Sequence, residues 1–480
     1  MFSFEITLKN WNSECSFFKI KYLNKPFYSR IMIFFKLNIW CFVGIFIPFS
    51  VEAQVSDTIK KWSIETCFQY AIENNIDINT AKLNELSAIQ DANLAKGSRI
   101  PNLYGTLNNT ITNEKNDVSG TGNFENQVVS TGNYSLNSSL VLWNGNYVNT
   151  NIHQKNLVSK TYNLLVEQSK NNLFLRITQS YLSILLAKEN LKYSIDLVAT
   201  SKSRLTQGQQ LYDAGSTAKI NVLQLQAQLS ADIYLKILIE NTIRQNILLL
   251  KQLLQLPTTV SFDVETPNDL QVVALVSPLE TVQNNAFQNF PEIKISQMNK
   301  EISNLNITKA KASFLPTLTA NAGIGSGYST ILNNTAFTSS NYFMQTGNNF
   351  YQQIGVTLSI PILTNRINKT NLEKAKIGSK QSDFNLKNTK LLLSQDVELA
   401  YLNATNAQEA YQSANEQLIA VTESYRILNE EYKLGGVNSF DLLQQKNQYV
   451  QAIQAFTQSK YTAILQQKIY DFYNGIKIQL

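Results

Sequence analysis

Hydrophobic positions along this chain change period several times, and the changes come in the same order twice. Between Asn151 and Tyr212 the residues Ile177, Tyr181, Ile184, Leu191, Ile195, Val198, Leu205 and Tyr212 recur at three-, four- and seven-residue steps, with Gln, Asn, Ser and Lys on the opposite faces. Between Thr370 and Tyr432 the series Val397, Tyr401, Ala407, Tyr411, Leu418, Tyr425 and Tyr432 answers it. At ~1.5 Å per residue each segment predicts a helix about 90 Å long, wider than any compact globular core. By itself such a seam is equally compatible with an ordinary coiled coil.

Ahead of each long helix the period drops to two. Tyr134, Leu136, Ser138, Leu140 and Leu142 alternate with Ser135, Asn137, Ser139 and Val141, while Ile354, Val356, Leu358, Ile360 and Ile362 alternate with Gly355, Thr357 and Ser359. Residues 103–112 and 318–324 alternate as well, so the pattern predicts two pairs of strands of roughly ten residues each. A helical pattern over 63–100 precedes the first pair and stops at Pro101, because proline lacks a backbone donor and disfavours helix in the residue before it. Pro316 stands at the second junction. Polar segments rich in Gly, Ser and Asn, 113–127 and 326–350, read as external loops. The long helices stop at Gly215 and Gly435, and new ones start near Asn221 and Asp441, with Ser216-Thr217 and Asn438-Ser439 as candidate caps. The helices over 63–100 and 219–256 together match the length of the long helix, which predicts two short helices stacked end to end beside it.

The repetition extends to the residues themselves. Residues 71–78 align with 286–293 and Lys96–Leu103 with Lys311–Leu318 at an offset of 215, while Leu140–Trp143 aligns with Ile360–Leu363 and Tyr212–Gly215 with Tyr432–Gly435 at 220. The chain is therefore a duplication: residues 54–265 form the first repeat, 278–480 the second, and 266–277 the linker. Pro257, Pro267 and Pro278 bracket that connection.

Residues 1–53 stand outside the repeat. Lys25, Arg30 and Lys36 precede the apolar run Leu37–Phe49, which ends at Val51-Glu52-Ala53. This reads as a secretory leader cleaved before Gln54, with a retained membrane anchor as the alternative. Met32 opens a more ordinary signal peptide than Met1, which makes 1–31 a candidate over-read start. Of the 41 Lys plus Arg and 35 Asp plus Glu, the leader carries six and three, so its removal lowers the formal charge from +6 to +3. Cys15 and Cys41 would leave with it, and Cys67 alone excludes an intrachain disulfide.

One His and three Cys in 480 residues leave little for metal, thiol or imidazole catalysis. His153 lies on a polar stretch and reads as a surface residue. The chain has no phosphate-cradling glycine loop and no clustered basic patch. No enzymatic activity, cofactor or nucleic-acid partner is expected. Four amphipathic strands in an exported protein present a different problem: an apolar face to bury and two open edges, when closed outer-membrane barrels need about eight strands. The strands must then be shared with other copies. Trp143, Tyr134 and Tyr104 near strand ends suit an aromatic girdle.

Together these features resemble the TolC-like outer-membrane factor family over essentially all of the mature chain: the duplication, the Pro101 and Pro316 junctions, and the turns Tyr212–Gly215 and Tyr432–Leu443. The resemblance implies a mixed α+β membrane protein: a trimer whose four strands per chain build a shared twelve-stranded transmembrane β-barrel, continued by a long α-helical periplasmic barrel. It implies an outer-membrane exit duct, in a Gram-negative bacterium, for a tripartite efflux pump or a type I secretion system, with a periplasmic adaptor and an inner-membrane transporter as partners. It also assigns Tyr212, Gly215, Tyr432, Gly435 and Gly436 to the adaptor-binding tip, and Asp441 to the aperture. Gln444 falls where some members carry a second acid. A carboxylate favoured by the helix dipole is the other reading of Asp441. Leu136, Leu140, Leu142, Val356, Leu358 and Ile360 are the expected lipid-facing positions, with Thr357 and Ser139 turned to the lumen. A coiled-coil structural or adaptor protein without a channel is the competing reading.

Overall fold

The structure, a computed structural model, describes residues 60–117, 124–267, 270–274, 277–333 and 341–480. The predicted leader lies outside them. The first repeat runs β1 (Lys60–Trp62), α1 (Ile64–Asn74), α2 (Ile76–Gly97), β2 (Tyr104–Asp117), β3 (Phe124–Trp143), α3 (Tyr147–Asp213), α4 (Lys219–Leu254) and β4 (Phe262–Val264). The second runs α5 (Leu279–Asn289), α6 (Pro291–Ala312), β5 (Thr317–Ile331), α7 (Tyr342–Asn348), β6 (Tyr351–Ser359), α8 (Ile367–Lys433) and α9 (Ser439–Tyr473).

The long helices are as expected, 67 residues each. The single helix expected over 63–100 is instead two. Asn75 takes an extended backbone and its Oδ1 caps α2, accepting from the N–H of Asp77 at 2.9 Å and of Ile78 at 3.3 Å. Its Nδ2 donates to the Leu253 carbonyl at 3.0 Å, so the start of α2 is fastened to the end of α4. Both α2 and α4 pack on α3, and this joint is where the two shorter helices meet end to end. In the second repeat Pro291 opens α6 after the extended Phe290, the geometry proline imposes on its predecessor.

Strands β2, β3, β5 and β6 form one antiparallel sheet in that order. β2, β3 and β5, of 14, 20 and 15 residues, are longer than the pattern suggested, whereas β6 has nine. The segment 113–127 is no simple loop, since β2 and β3 pair from Tyr104↔Asn137 out to Asp117↔Phe124. Likewise 326–350 contains the end of β5 and the helix α7. Thr, Asn and Ser on both faces hide a strand from a hydrophobic-period test while leaving its ladder intact. The two three-residue strands β1 and β4, which pair in parallel beside α3, were also not anticipated.

Two cores hold the helices. The larger gathers Ile64, Cys67, Ile177, Tyr181, Ile184, Leu250, Leu254 and Val264 with Tyr461 and Ile464 of α9. The smaller sets Val282, Ala286 and Ile293 against Val397, Ala400 and Ala404 of α8. Tyr181 anchors the first: its hydroxyl reaches the carbonyls of Glu265 at 2.7 Å and Trp62 at 3.1 Å, tying the β1–β4 pair to α3. Burial pushes that phenol well above its ordinary pKa.

Candidate functional site

The register of the sheet separates two chemistries. Residues opposite one another on antiparallel neighbours share a face. Leu318, Ala320, Ala322 and Ile324 lie opposite Leu358, Val356, Ile354 and Gln352 on one side, and Ala320 and Ile324 opposite Leu140 and Leu136 on the other. Leu107 lies opposite Tyr134. The other face carries Thr106, Asn108, Ser135, Asn137, Thr319, Asn321, Thr357 and Gln353. Glycines on β5 make that face fit: a Cβ on Gly323 would lie 2.9 Å from Asn137 Oδ1, and one on Gly325 2.5 Å from the Tyr351 ring.

Leu136, Leu140, Val356 and Leu358 thus share the apolar face. Leu142 does not hold a ladder position, because a bulge lets Val141 face Thr319 and Trp143 face Leu318; an extra residue re-aims the side chains beyond it. Trp143 takes the place predicted for Leu142. Ile360 lies just past the end of β6. Ser139, opposite Asn321, is on the polar face. Tyr104 is on the polar face too, opposite Asn137, and does not join Trp143 and Tyr134. Instead Tyr134 clusters with Tyr328 and Tyr342, the last two rings 4.9 Å apart and edge to face. In the single chain the apolar face is bare: Leu107 is 81% and Ile354 89% exposed.

At the junctions, α2 gives way to β2 around Pro101, and Pro316 directly precedes β5. The return from sheet to long helix repeats a left-handed pair, Gly145-Asn146 in one half and Asn365-Arg366 in the other. Gly145 is required there, since a Cβ would lie 2.8 Å from Leu315 and 3.2 Å from the Ala312 carbonyl.

At the far end of the long helices stand two matched turns. Gly215 and Gly435 have φ of 72° and 78°, and the next N–H groups close the helices, Ser216 to the Leu211 carbonyl at 2.8 Å and Gly436 to that of Glu431 at 2.9 Å. Nothing lies within 4 Å of a Cβ at either position, so backbone conformation alone calls for glycine. Asn438 caps α9, accepting from the Asp441 N–H at 2.9 Å. The first repeat differs: α4 starts after Ala218 without a side-chain cap, and Thr217 accepts from Asn221 instead. Tyr212, Tyr432, Asp441 and Gln444 all lie near this end; Tyr212, Asp441 and Gln444 are exposed, as are Leu434, Phe440 and Ile220, while Tyr432 is half-buried.

Just above the turns the structure brings together residues that the sequence did not single out. Lys446 of α9 is buried, its Nζ 2.6 Å from Asp232 Oδ2 of α4 and 2.5 Å from Ser201 Oγ of α3. Ser201 also donates to Asp232, and Gln228 donates to the other carboxylate oxygen at 2.9 Å. Burial pushes the Lys446 ammonium below its ordinary pKa, against the pull of Asp232. Alongside, Arg204 donates to Tyr425 at 2.8 Å and Asn429 at 2.6 Å, joining α3 to α8. Ser439 donates to Asn221 at 3.0 Å, joining α9 to α4. A lone polar residue in a helix carries no signal that it will be buried. Only Gly208, where a Cβ would meet Leu225 at 2.6 Å, hints at close helix packing here. His153 is exposed, 3.3 Å from Glu301. Among the described residues no helix is long and apolar enough to cross a membrane.

Comparison with known proteins places this arrangement. The sequence pattern of the family described as Outer membrane efflux protein matches residues 68–254 and again 282–468, one match per repeat. The outer membrane protein TolC of Vibrio cholerae serotype O1 is 24% identical over 257 residues, 54% of this chain and 54% of that protein; the chain spans about half the length of the curated relative it matches. The structure of CusC superposes with a TM-score of 0.74 at 17% identity, covering 87% of this chain and 93% of that one. The outer membrane channel CmeC of Campylobacter jejuni gives 0.73 at 17%, covering 86% of each. The open state of the outer membrane channel MtrE of Neisseria gonorrhoeae gives 0.69 at 18%, covering 86% of this chain and 88% of that one. At such identities the likeness establishes the fold.

Proposed function

From the premise that the chain belongs to the outer membrane efflux protein family, we propose that three copies assemble into an exit duct whose shared twelve-stranded barrel crosses the outer membrane and whose helices form a tunnel into the periplasm. The observation that carries this reading is the sheet: one apolar face, one polar face and two open edges on a protein of an outer-membrane family. The apolar face meets lipid through Leu107, Leu136, Leu140, Leu318, Ile354, Val356 and Leu358. Trp143 and the Tyr134–Tyr328–Tyr342 cluster bound it at its two ends, nine residues apart along β3. That separation is ~30 Å along a strand, or about 20–25 Å of height once tilted, close to the apolar band of known barrels. The polar face, of Asn, Thr, Ser and Gly, lines the lumen, which suits passive conduction.

The turns at Gly215 and Gly435 form the periplasmic end. Tyr212, Tyr432 and Gly436, with the exposed Leu434 and Phe440, receive a periplasmic adaptor that links the duct to an inner-membrane transporter, of an efflux pump or of a type I secretion system. Asp441, repeated three times, rings the aperture. Residues 1–53 are the export leader, and the two repeats, 54–265 and 278–480, joined by the 266–277 linker, each supply two strands and half of the helical wall.

The test is direct. Outer-membrane extracts should contain a trimer whose electrophoretic migration changes on heating, and the purified trimer should conduct ions in planar bilayers. A stable monomer in detergent, or a trimer that never conducts, overturns the proposal. Gene neighbours encoding an ABC-type exporter or a drug pump would separate secretion from efflux.

A further inference from the structure

Within one chain the sheet ends on two open edges, β2 and β6, of unequal length: 14 residues against nine. The reason β6 is short lies in α7. Above Gly325, the last residue of β5 that pairs with β6, α7 and the residue after it occupy the edge that β6 leaves. The Ser329 N–H donates to Gln345 Oε1 at 3.0 Å, and Asn349 Nδ2 donates to the Gly327 carbonyl at 2.8 Å. A neighbouring copy therefore meets a strand that runs only from Tyr351 to Ser359.

Face and level restrict how it can do so. Tyr351 stands level with Gly325, which stands level with Ser135 and so with Thr106 of the same chain. Closing a barrel shifts this level line by a fixed amount from copy to copy. A downward shift would carry it toward Pro101 and α2, where there is no strand, so the shift is upward. Matching apolar to apolar faces permits only even shifts, because a one-residue slip reverses every side chain. With ~3.3 Å per residue and ~4.8 Å between strands, shifts of four, six and eight tilt a twelve-stranded barrel by about 35°, 46° and 54°. Eight lies beyond the ~35–45° of known barrels. Four sets Leu358 against Leu103, ahead of β2. Six sets the end of β6 flush with the start of β2.

We propose that β6 of each copy pairs antiparallel with β2 of the next in a single register, Ser359 opposite Tyr104 and Tyr351 opposite Thr112. This rests on the shared-barrel reading above and specifies its seam. Val356 then meets Leu107 on the lipid face, and Thr357 meets Thr106 on the lumen face. The remainder of β2, residues 113–117, rises past the end of β6 beside α7, so that each copy's helix covers the step left by the next copy's longer strand.

Paired cysteines in the full chain, expressed in outer membranes, test the register. Thr106→Cys with Thr357→Cys should oxidise to a covalent ladder of dimers and trimers, at least about tenfold faster than Tyr104→Cys or Asn108→Cys with Thr357→Cys, since a disulfide tolerates little beyond ~7 Å between Cα atoms. Cys67, with its thiol buried and pushed up to about 12, should stay silent in the control without introduced cysteines. A ladder dominated by the 104 or 108 pair overturns the register but keeps the shared barrel. An intact trimer that no pair cross-links overturns the β2–β6 seam. A stable monomer overturns the trimeric reading and the seam with it.

Discussion

The two halves of this chain follow one plan, yet α3 and α8 live in different surroundings. At the same repeat positions α3 has Ile177, Tyr181 and Ile184, all buried, while α8 has Val397 and Ala404 buried but smaller, and Tyr401 only half-buried. Packed on by α2, α4, α6 and α9, α3 has neighbours on several sides; α8 meets α5, α6 and α9. It leaves Phe384, Leu391, Leu399, Leu402 and Ile419 exposed. A duplicated sequence can thus keep its helix lengths, turns and seam while its halves diverge in what they are built to touch. Both helices contribute to a core of the protomer, α3 to the larger and α8 to the smaller, but α8 is covered on fewer sides.

The largest effect should come from the buried ion cluster, which joins the two halves and which the repeat does not duplicate. Asp232, Ser201 and Lys446 correspond by repeat position to Ala452, Val421 and Gln226. Asp232→Ala leaves the Lys446 ammonium buried and unpaired and should cost about 3–5 kcal/mol, read as a fall in the thermal midpoint of the purified protein. Asp232→Ala combined with Lys446→Met should recover much of it. An unchanged midpoint in Asp232→Ala would mean the cluster is wet and open.

The sheet should behave alike in both halves. Leu140→Arg and Leu358→Arg should each cost ~2–4 kcal/mol at the barrel midplane, seen as loss of heat-stable trimer from outer membranes. Arginine at Ser139 or Thr357, on the polar face, should be tolerated. Equal damage from both sets would reverse the faces. The turns should also match. Gly215→Val and Gly435→Val each force a branched residue into a left-handed conformation at about 1–2 kcal/mol, with no clash to add. Both should weaken adaptor capture while the barrel assembles normally, measured by pull-down of the purified adaptor on trimers. The smallest effect separates the paired tyrosines. Tyr181→Phe removes a buried hydroxyl from two carbonyls and should lower stability by about 1 kcal/mol, whereas Tyr401→Phe, half-buried with its ring on Tyr470, should be near neutral by the same thermal scan.

The duplication, the two long helices, the strand pairs after Pro101 and Pro316, and the glycine turns are all legible along the chain. These are set by local terms: hydrophobic period, the missing donor of proline, and the left-handed conformation that glycine allows. The family resemblance drawn from the same residues was right for the same reason, since the matches fall one per repeat. Tertiary structure alone decided the rest. Leu142 and Trp143 changed places because a bulge is fixed by what lies across the ladder, not by alternation along one strand. The outer reaches of β2 and β3 are held by backbone hydrogen bonds that polar side chains do not advertise. Below Ile184 the buried stripe of α3 passes from the predicted Leu191, Ile195 and Val198 to Ser194, Leu197, Ser201 and Gly208, since a helix of 3.6 residues per turn drifts off a seven-residue seam. That drift brings Ser201 beneath Asp232 and Lys446. Whether a serine, an aspartate and a lysine on three helices meet in a core or face water depends on the packing of all three helices together, and no window of sequence along one of them contains it.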